Sequence, residues 1–374
     1  MNEQRPFDVV VVGAGIVGLA HAWTAARRGL SVAVVERDQR CVGASIRNFG
    51  FVTVTGQRAG DTWRRARRSR EVWAELAPQA GIDVLHPGLW VLARRPEAQS
   101  VLEAFARTEM GAECRLHTAA AAADRAPALH TDGASAALYS PHELRVESRD
   151  ALPQLAQWLR REHGVHFFHG EAVLAVAPPR VHTANRTLRG ERVLLCPGTD
   201  LTGVAAAWLA PFNLKLTRLQ MLRVRPEAGF RLGSAVMGDL SLVRYAGYAN
   251  LPEAAALRAQ LEHDVPACLA HGIHLIAVQS ADGSLVVGDS HHDDATPEPF
   301  ASEAVDRLIL QQLRETVDLE RCEVLERWTG VYPVGHQADA LVVAPDAALR
   351  VVLVTSGTGA STAFGLAEDV FDAW

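Results

Sequence analysis

Phe7-Asp8-Val9-Val10-Val11-Val12-Gly13-Ala14-Gly15-Ile16-Val17-Gly18-Leu19-Ala20 decides how the chain is read. Val9 to Val12 is an unbroken β-branched run, the pattern of a strand buried on both faces. Gly13, Gly15 and Gly18 then arrive in the order G-x-G-x-x-G. The Ala-rich residues after Leu19 suit a helix, and Gly29 is placed to end it. Ser31-Val32-Ala33-Val34-Val35-Glu36 is a second apolar run that closes on an acid. Gly13 permits a sharp turn, Gly15 lets backbone N–H groups approach a pyrophosphate, and Gly18 lets the helix lie near the sheet. The helix N-terminus offers partial positive charge, and Glu36, roughly 20 residues on, can accept from ribose hydroxyls. The motif specifies a dinucleotide without choosing FAD or NAD.

With 374 residues, about two domains are expected. The apolar share is 48% and the charged share 21%, the make-up of an ordinary globular protein. A formal charge of −6 argues against a nucleic-acid partner. Cys41, Cys114, Cys196, Cys268 and Cys322 are scattered, with no zinc spacing, and read as reduced thiols in the cytoplasm. No apolar run is long enough for a membrane span, and the N-terminus has no signal-peptide pattern.

A second loop of small residues, Cys41 to Phe51, follows Glu36-Arg37. Residues 62–77 read as a helix with Trp63, Ala66, Trp73 and Leu76 on one face and its arginines in water. Residues 84–92 read as a strand, residues 97–110 and 119–126 as helices, and residues 138–146 as a strand pair around Pro141-His142. A capped helix starts at Ser148. Short strands lead to Glu191–Cys196 and the turn Pro197-Gly198. Residues 216–224 and 242–248 read as strands, and residues 273–288 as a hairpin turning at Asp282-Gly283. His291-His292-Asp293-Asp294 reads as a solvated loop, and no metal site is expected. A helix from Ser302 to Asp318 precedes Trp328–Pro333. Leu349–Thr355, the turn Ser356-Gly357-Thr358-Gly359 and a closing helix return to the first domain.

In these pieces the chain resembles the D-amino-acid oxidase / glycine oxidase / sarcosine oxidase family of flavoenzymes along nearly its whole length. Gly13-x-Gly15-x-x-Gly18 with Glu36, Gly43-Ala44-Ser45, Leu195-Cys196-Pro197-Gly198 and Ser356-Gly357-Thr358-Gly359 carry the resemblance. It implies an α/β (α+β overall) protein. A Rossmann-like FAD-binding domain, discontinuous in sequence, would comprise residues 1–83, 147–213 and 323–374. A mixed-sheet substrate-binding domain would comprise residues 84–146 and 214–322. Ser45-Ile46-Arg47-Asn48-Phe49-Gly50 looks like a branch linked to phosphonate catabolism.

The resemblance also implies roles. Gly13, Ala14, Gly15, Ile16, Val17 and Gly18 would hold the pyrophosphate, with Glu36 and Arg37 near the adenosine ribose. Gly43, Ala44, Ser45, Arg47, Asn48, Phe49 and Gly50 would wrap toward the flavin. Val173 would meet the adenine, and Cys196, Pro197 and Gly198 would return beside it. Gly330 and Tyr332 would flank the ring. Gly357, Thr358, Gly359, Ala360, Ser361 and Thr362 would set N–H groups near the flavin C2 carbonyl. No cysteine stands in Trp328–Tyr332, so FAD would be non-covalent. Leu285–Gly288 holds no lysine of the kind that assists oxygen in sarcosine oxidases. The implied reaction is hydride transfer to flavin N5 from the carbon beside a small amine, giving an imine that hydrolyses. Arg47, Tyr245 and Thr358 would be catalytic. Arg47, Arg218, Arg244, Tyr245, Tyr248 and Tyr332 would hold the substrate, carboxylate and phosphonate being equally suited to arginine. An NAD(P)-dependent dehydrogenase and a non-catalytic flavin-binding accessory protein are the rival readings.

Overall fold

A computed structural model describes residues 6–335 and 337–374. Its first sheet has eight strands. Six form the path Ala340–Asp346, Leu349–Val354, Thr187–Leu195, Phe7–Val12, Val32–Glu36, His166–His169, each pair parallel except the first. The alternating side chains of Phe7–Val12 explain its central place. Val9 and Val11 face one core with the helices Ile16–Arg27, Asp61–Ala80, Ser148–Glu162 and Gly359–Asp372. Val10 faces another core with Val181, Leu188 and Leu209. This is the parallel, helix-covered sheet expected of a Rossmann-like domain.

The second sheet has ten strands. Its spine is Lys215–Pro226, which pairs antiparallel with His292–Asp294 and Leu285–Gly288, and separately with Cys322–Val334. From Leu285–Gly288 the sheet continues through Ile276–Gln279, Ala235–Met237, Val84–Ala93 and Ala136–Val146 to Phe51–Val52. The mixed α/β character matches the expected class.

Several local expectations are corrected. Residues 242–248 are not a strand: the helical turns Asp239–Leu242 and Ala246–Ala249 stand there. Gly247 lets the second turn pack closely, since a Cβ on it would lie 2.4 Å from the Gln57 carbonyl oxygen and 2.7 Å from the Gly56 backbone. Ala136–Val146 is one strand whose irregular register against Val84–Ala93 absorbs Pro141. Ser148 does not cap its helix; its hydroxyl donates to Asn48 Oδ1 at 2.9 Å. The arginines of Asp61–Ala80 are not simply solvated. Arg64 and Arg65 reach Asp369, and Arg68 holds Glu368 through two bonds of 2.8 and 2.9 Å. Cys322–Val334, grouped by sequence with the nucleotide unit, is hydrogen-bonded within the second sheet.

His21 sits fully buried on the first helix. Its Nδ1–H donates to the Val17 carbonyl at 2.7 Å, while Nε2 has no partner among the described residues. Burial lowers its pKa to about 4. The unfolded imidazole protonates below about 6.5, so the folded state loses stability as pH falls from there to about 4. The loss is about 3 kcal/mol. His86, lowered to about 4 by burial and then by Arg145, adds to the same window. Urea unfolding across this range should show His21→Gln with a slope shallower by about one proton.

Candidate active site

Four segments distant in sequence close around one cavity of about 370 Å³. The first is Gly15–Gly18, opening the helix Ile16–Arg27. Gly13 has φ +102°, and a Cβ there would lie 2.5 Å from the Cys196 carbonyl oxygen. A Cβ on Gly18 would lie 1.9 Å from the Gly13 oxygen, so the turn demands glycine at both places. Glu36 braces it by accepting from Ala14 N–H at 2.7 Å and Asp38 N–H at 3.0 Å.

The second segment is Ala44–Phe49. Ser45 Oγ accepts from Ile16 N–H at 3.0 Å, tying this loop to the glycine turn. Asn48 braces it from within, donating to the Ala44 carbonyl and accepting from Gly50 N–H. The third is Gly330–Gly335, where Trp328 Nε1 donates to the Arg47 carbonyl at 3.3 Å. The fourth is Val352–Ser361, joined to the third by the bridge Val334–Ser356. Gly357 has φ +73°, and its missing Cβ makes room for the Tyr332 ring. Thr358 is the N-cap residue of the closing helix, so a second helix N-terminus opens on the same cavity.

The far wall comes from the second sheet and the segments flanking its strands: Leu219 and Ile276 from strands, Arg244 and Tyr245 between two helical turns, and the polar trio His274, Asp289 and His291 just beyond strand ends. Arg244 Nη2 donates to the Tyr332 hydroxyl at 3.1 Å. Burial pushes both the Tyr245 and Tyr332 phenols up, so both stay protonated. Burial acts to raise the Asp289 carboxyl, but the charged and polar side chains around it, Arg244 among them, hold it below its usual range.

Of the residues singled out by sequence, Gly15, Ile16, Val17, Gly18, Ala44, Ser45, Arg47, Asn48, Phe49, Cys196, Gly198, Arg244, Tyr245, Gly330, Tyr332 and Gly357 to Ser361 line this cavity. Gly13, Ala14 and Glu36 shape the turn behind it. Gly50 is the tight turn beneath, its absent Cβ 1.8 Å from the Val146 oxygen. Gly43, Pro197 and Thr362 flank lining residues without lining it themselves. Arg37 is exposed, 3.5 Å from Asp200, and Val173 starts the hairpin strand Val173–Ala177.

Two substrate expectations are corrected. Tyr248 is wholly buried, its ring 4.5 Å from Phe105 and packed over Gly56. Arg218 is turned away, donating to the Phe300 carbonyl. The sequence reading missed Gln57, Arg58, His274, Asp289 and Asp339, and took His291, which is buried on the cavity wall, for part of a solvated loop. One signal was available for three of them: polar residues crowd both open ends of the apolar hairpin Ile276–Gln279/Leu285–Gly288.

A parallel sheet with a glycine turn, a second helix N-terminus and a second sheet roofing the cavity are the marks of a dinucleotide-dependent oxidoreductase. The residues fit such a cofactor: two positions tolerate no Cβ, and both helix N-termini face the cavity. The chain belongs to the DAO family of FAD dependent oxidoreductases, whose sequence profile matches residues 8–373. FAD is therefore the cofactor.

Glycine oxidase from Bacillus cereus ATCC 14579 shares the fold with a TM-score of 0.77 at 17% identity, covering 98% of this chain and 96% of that one. Iminodiacetate oxidase from Chelativorans sp. BNC1 gives a TM-score of 0.70 at 17% identity, covering 96% and 93%. A curated relative, 4-oxocyclohex-2-ene-1-carboxylate 5-dehydrogenase from Sinomonas cyclohexanicum, is 40% identical over 78 residues, which is 21% of this chain and 13% of that enzyme. No helix among the described residues is long and apolar enough to cross a membrane.

Proposed function

We propose that this protein oxidises a small amine bearing an anionic group, an amino acid or an aminophosphonate. Arg244 carries the reading: a guanidinium set against the Tyr332 hydroxyl on the wall of the cavity that the two helix N-termini share. FAD, when bound, supplies the acceptor for a hydride from the carbon beside nitrogen. The chain's residues do the rest. Gly15 and the N-terminus of Ile16–Arg27 hold the pyrophosphate, with Ser45 fixing the loop over it. The N-terminus of Gly359–Asp372 presents partial positive charge to an electron-rich group. Arg244 binds the substrate's anion with its planar fork, and Tyr332 fixes the direction of that fork. Phe49, Leu219 and Ile276 keep water from the reacting carbon. The imine leaves and hydrolyses to a carbonyl compound and a smaller amine or ammonia.

Phosphonate is included because Ser45 to Gly50 resembles the phosphonate-linked branch. Glycine oxidase and iminodiacetate oxidase among the structural relatives favour N-substituted or simple amino acids. Anaerobic mixing with glycine, sarcosine, iminodiacetate, aminoethylphosphonate and N-methyl aminoethylphosphonate tests the proposal. Bleaching of the visible flavin band by at least one is expected; flavin that stays oxidised with all of them supports the non-catalytic rival. Arg244→Met should raise KM for the bleaching amine roughly 10–100-fold, the worth of a charge-assisted hydrogen bond. Its flavin spectrum should match the parent's, and an unchanged KM would remove Arg244 from the anion site.

A further inference from the structure

The cavity wall beside Arg244 carries a polar cluster that anion binding leaves unused. His274 and Asp289 face each other across the open end of the hairpin, exchanging backbone bonds of 3.2 and 3.0 Å. His291 follows two residues on. Each of the three offers one ligand atom, all within 4.8 Å of one another. His274 Nε2 lies 3.1 Å from Asp289 Oδ1, and His291 Nε2 lies 3.7 Å from Oδ2. The two imidazoles are stacked at 23°, their centroids 5.1 Å apart. The Asp289 and His274 residues are only 4% exposed, yet all three side chains border the cavity.

Tautomers decide what this cluster wants. His291 Nδ1 lies 3.0 Å from the Gly272 carbonyl, which can only accept, so Nδ1 carries the proton. Burial keeps the ring neutral, pushing its pKa to about 3 against the pull of Asp289. A neutral His291 then turns its Nε2 lone pair toward a carboxylate oxygen, acceptor facing acceptor. His274 Nε2 lies beside Asp289 Oδ1 without an aligned hydrogen bond, and both Asp289 Oδ1 and His274 Nδ1 are buried with no hydrogen-bond partner among the described residues. The patch is rich in acceptors and short of donors. The other groups facing Asp289 are Arg244, Tyr245 and Tyr332. A cationic anchor thus stands beside a buried carboxylate, the complement of a zwitterion.

We propose that Asp289, flanked by His291 and His274, seats the substrate's nitrogen and stabilises the positive charge that develops there. This rests on the reading that an amine is oxidised. The C–H bond of R–CH₂–NH₂ breaks, and its two electrons leave with the hydrogen as hydride to FAD. The nitrogen lone pair forms the C=N bond, giving R–CH=NH₂⁺. The substrate gains one positive charge at nitrogen. A carboxylate held against that atom therefore stabilises the transition state more than the neutral amine. His291 Nε2 accepts the second N–H.

Asp289→Asn and His291→Gln, loaded with FAD, are compared with the parent by anaerobic stopped flow, using whichever amine of the panel bleaches the parent. Asp289→Asn should reduce its flavin about 10²–10³-fold more slowly at saturating amine, the loss typical of removing one preorganised electrostatic partner. The low-pH limb of its limiting rate should move to lower pH, since the carboxylate also favours the protonated amine. Inhibition by acetate or methylphosphonate, which lack the nitrogen, should stay within about threefold, because no charge develops on them. His291→Gln should slow reduction about tenfold, and it carries the test if Asp289→Asn fails to bind FAD. Reduction of both variants within threefold of the parent would remove this inference and leave amine oxidation standing. So would a stoichiometric divalent metal in the purified parent whose removal by EDTA abolishes reduction, because two histidines and a carboxylate are also a metal donor set. A parent that no amine bleaches removes both readings together.

Discussion

Gly15→Val yields a folded, colourless protein. Gly15 has φ −71° and ψ 174°, extended backbone open to any residue. A Cβ there meets only Ser45 Oγ, at 3.0 Å, so that side chain need give by only a few tenths of an ångström. The fold therefore survives, as it would not with Gly18→Val, whose Cβ would sit on the Gly13 oxygen. The γ-carbons of valine instead fill the place where backbone N–H groups approach a pyrophosphate. Loss of that approach should weaken FAD binding by at least about 10³-fold, about 4 kcal/mol. Flavin fluorescence titration reads the affinity, and urea unfolding of both apoproteins reads the fold. A yellow Gly15→Val with parent-like affinity would place the pyrophosphate elsewhere.

The second large effect concerns the core beneath the C-terminal turn. Phe364 is fully buried, edge-on to Trp23 at 5.3 Å and to Trp73 at 5.4 Å. Three helices meet at these rings: Ile16–Arg27, Asp61–Ala80 and Gly359–Asp372. Phe364→Ala leaves a cavity that aromatic walls cannot collapse into, and both edge-to-face pairs disappear. The expected cost is about 3–5 kcal/mol, read as a lowered urea midpoint at unchanged m. The closing helix also carries Thr358 to Ser361 on the cavity wall, so FAD affinity should fall with stability. Phe364→Leu should recover more than half of the loss, because it refills most of the volume.

What the sequence makes legible follows from how local each signal is. Gly13, Gly15 and Gly18 are read easily because the turn, the strand before it and the helix after it lie within twenty-odd residues and obey one steric logic. Gly357 to Ser361 is read by the same means. Residues 242–248 mislead because Leu242, Val243 and Tyr245 mimic a strand's apolar content, while the backbone forms helical turns, the second packed closely on Gly56 through Gly247. Tyr248 is expected at the substrate only if residues 242–248 form a strand crossing above the ring; the helical turn that stands there carries it into the core. Arg218 and Arg244 are indistinguishable as letters, and only the sheet shows which one meets Tyr332. The polar residues at the ends of the hairpin are visible in the sequence, but that His274 meets Asp289 is set by the pairing of its strands.

The first sheet is assembled from the two ends of the chain and its middle, and Leu349–Val354 completes its pairing with Thr187–Leu195. A ribosome adds roughly 5–20 residues per second. Phe7–Val12, paired early with Val32–Glu36, therefore waits on the order of tens of seconds for Thr187–Leu195 to cover its other edge. During that delay one edge of Val9 to Val12 is unpaired, the other being held by Val32–Glu36. The first sheet is thus completed in stages, and chaperone demand should be high from the synthesis of Val32–Glu36 until Thr187–Leu195 and then Leu349–Val354 have been added.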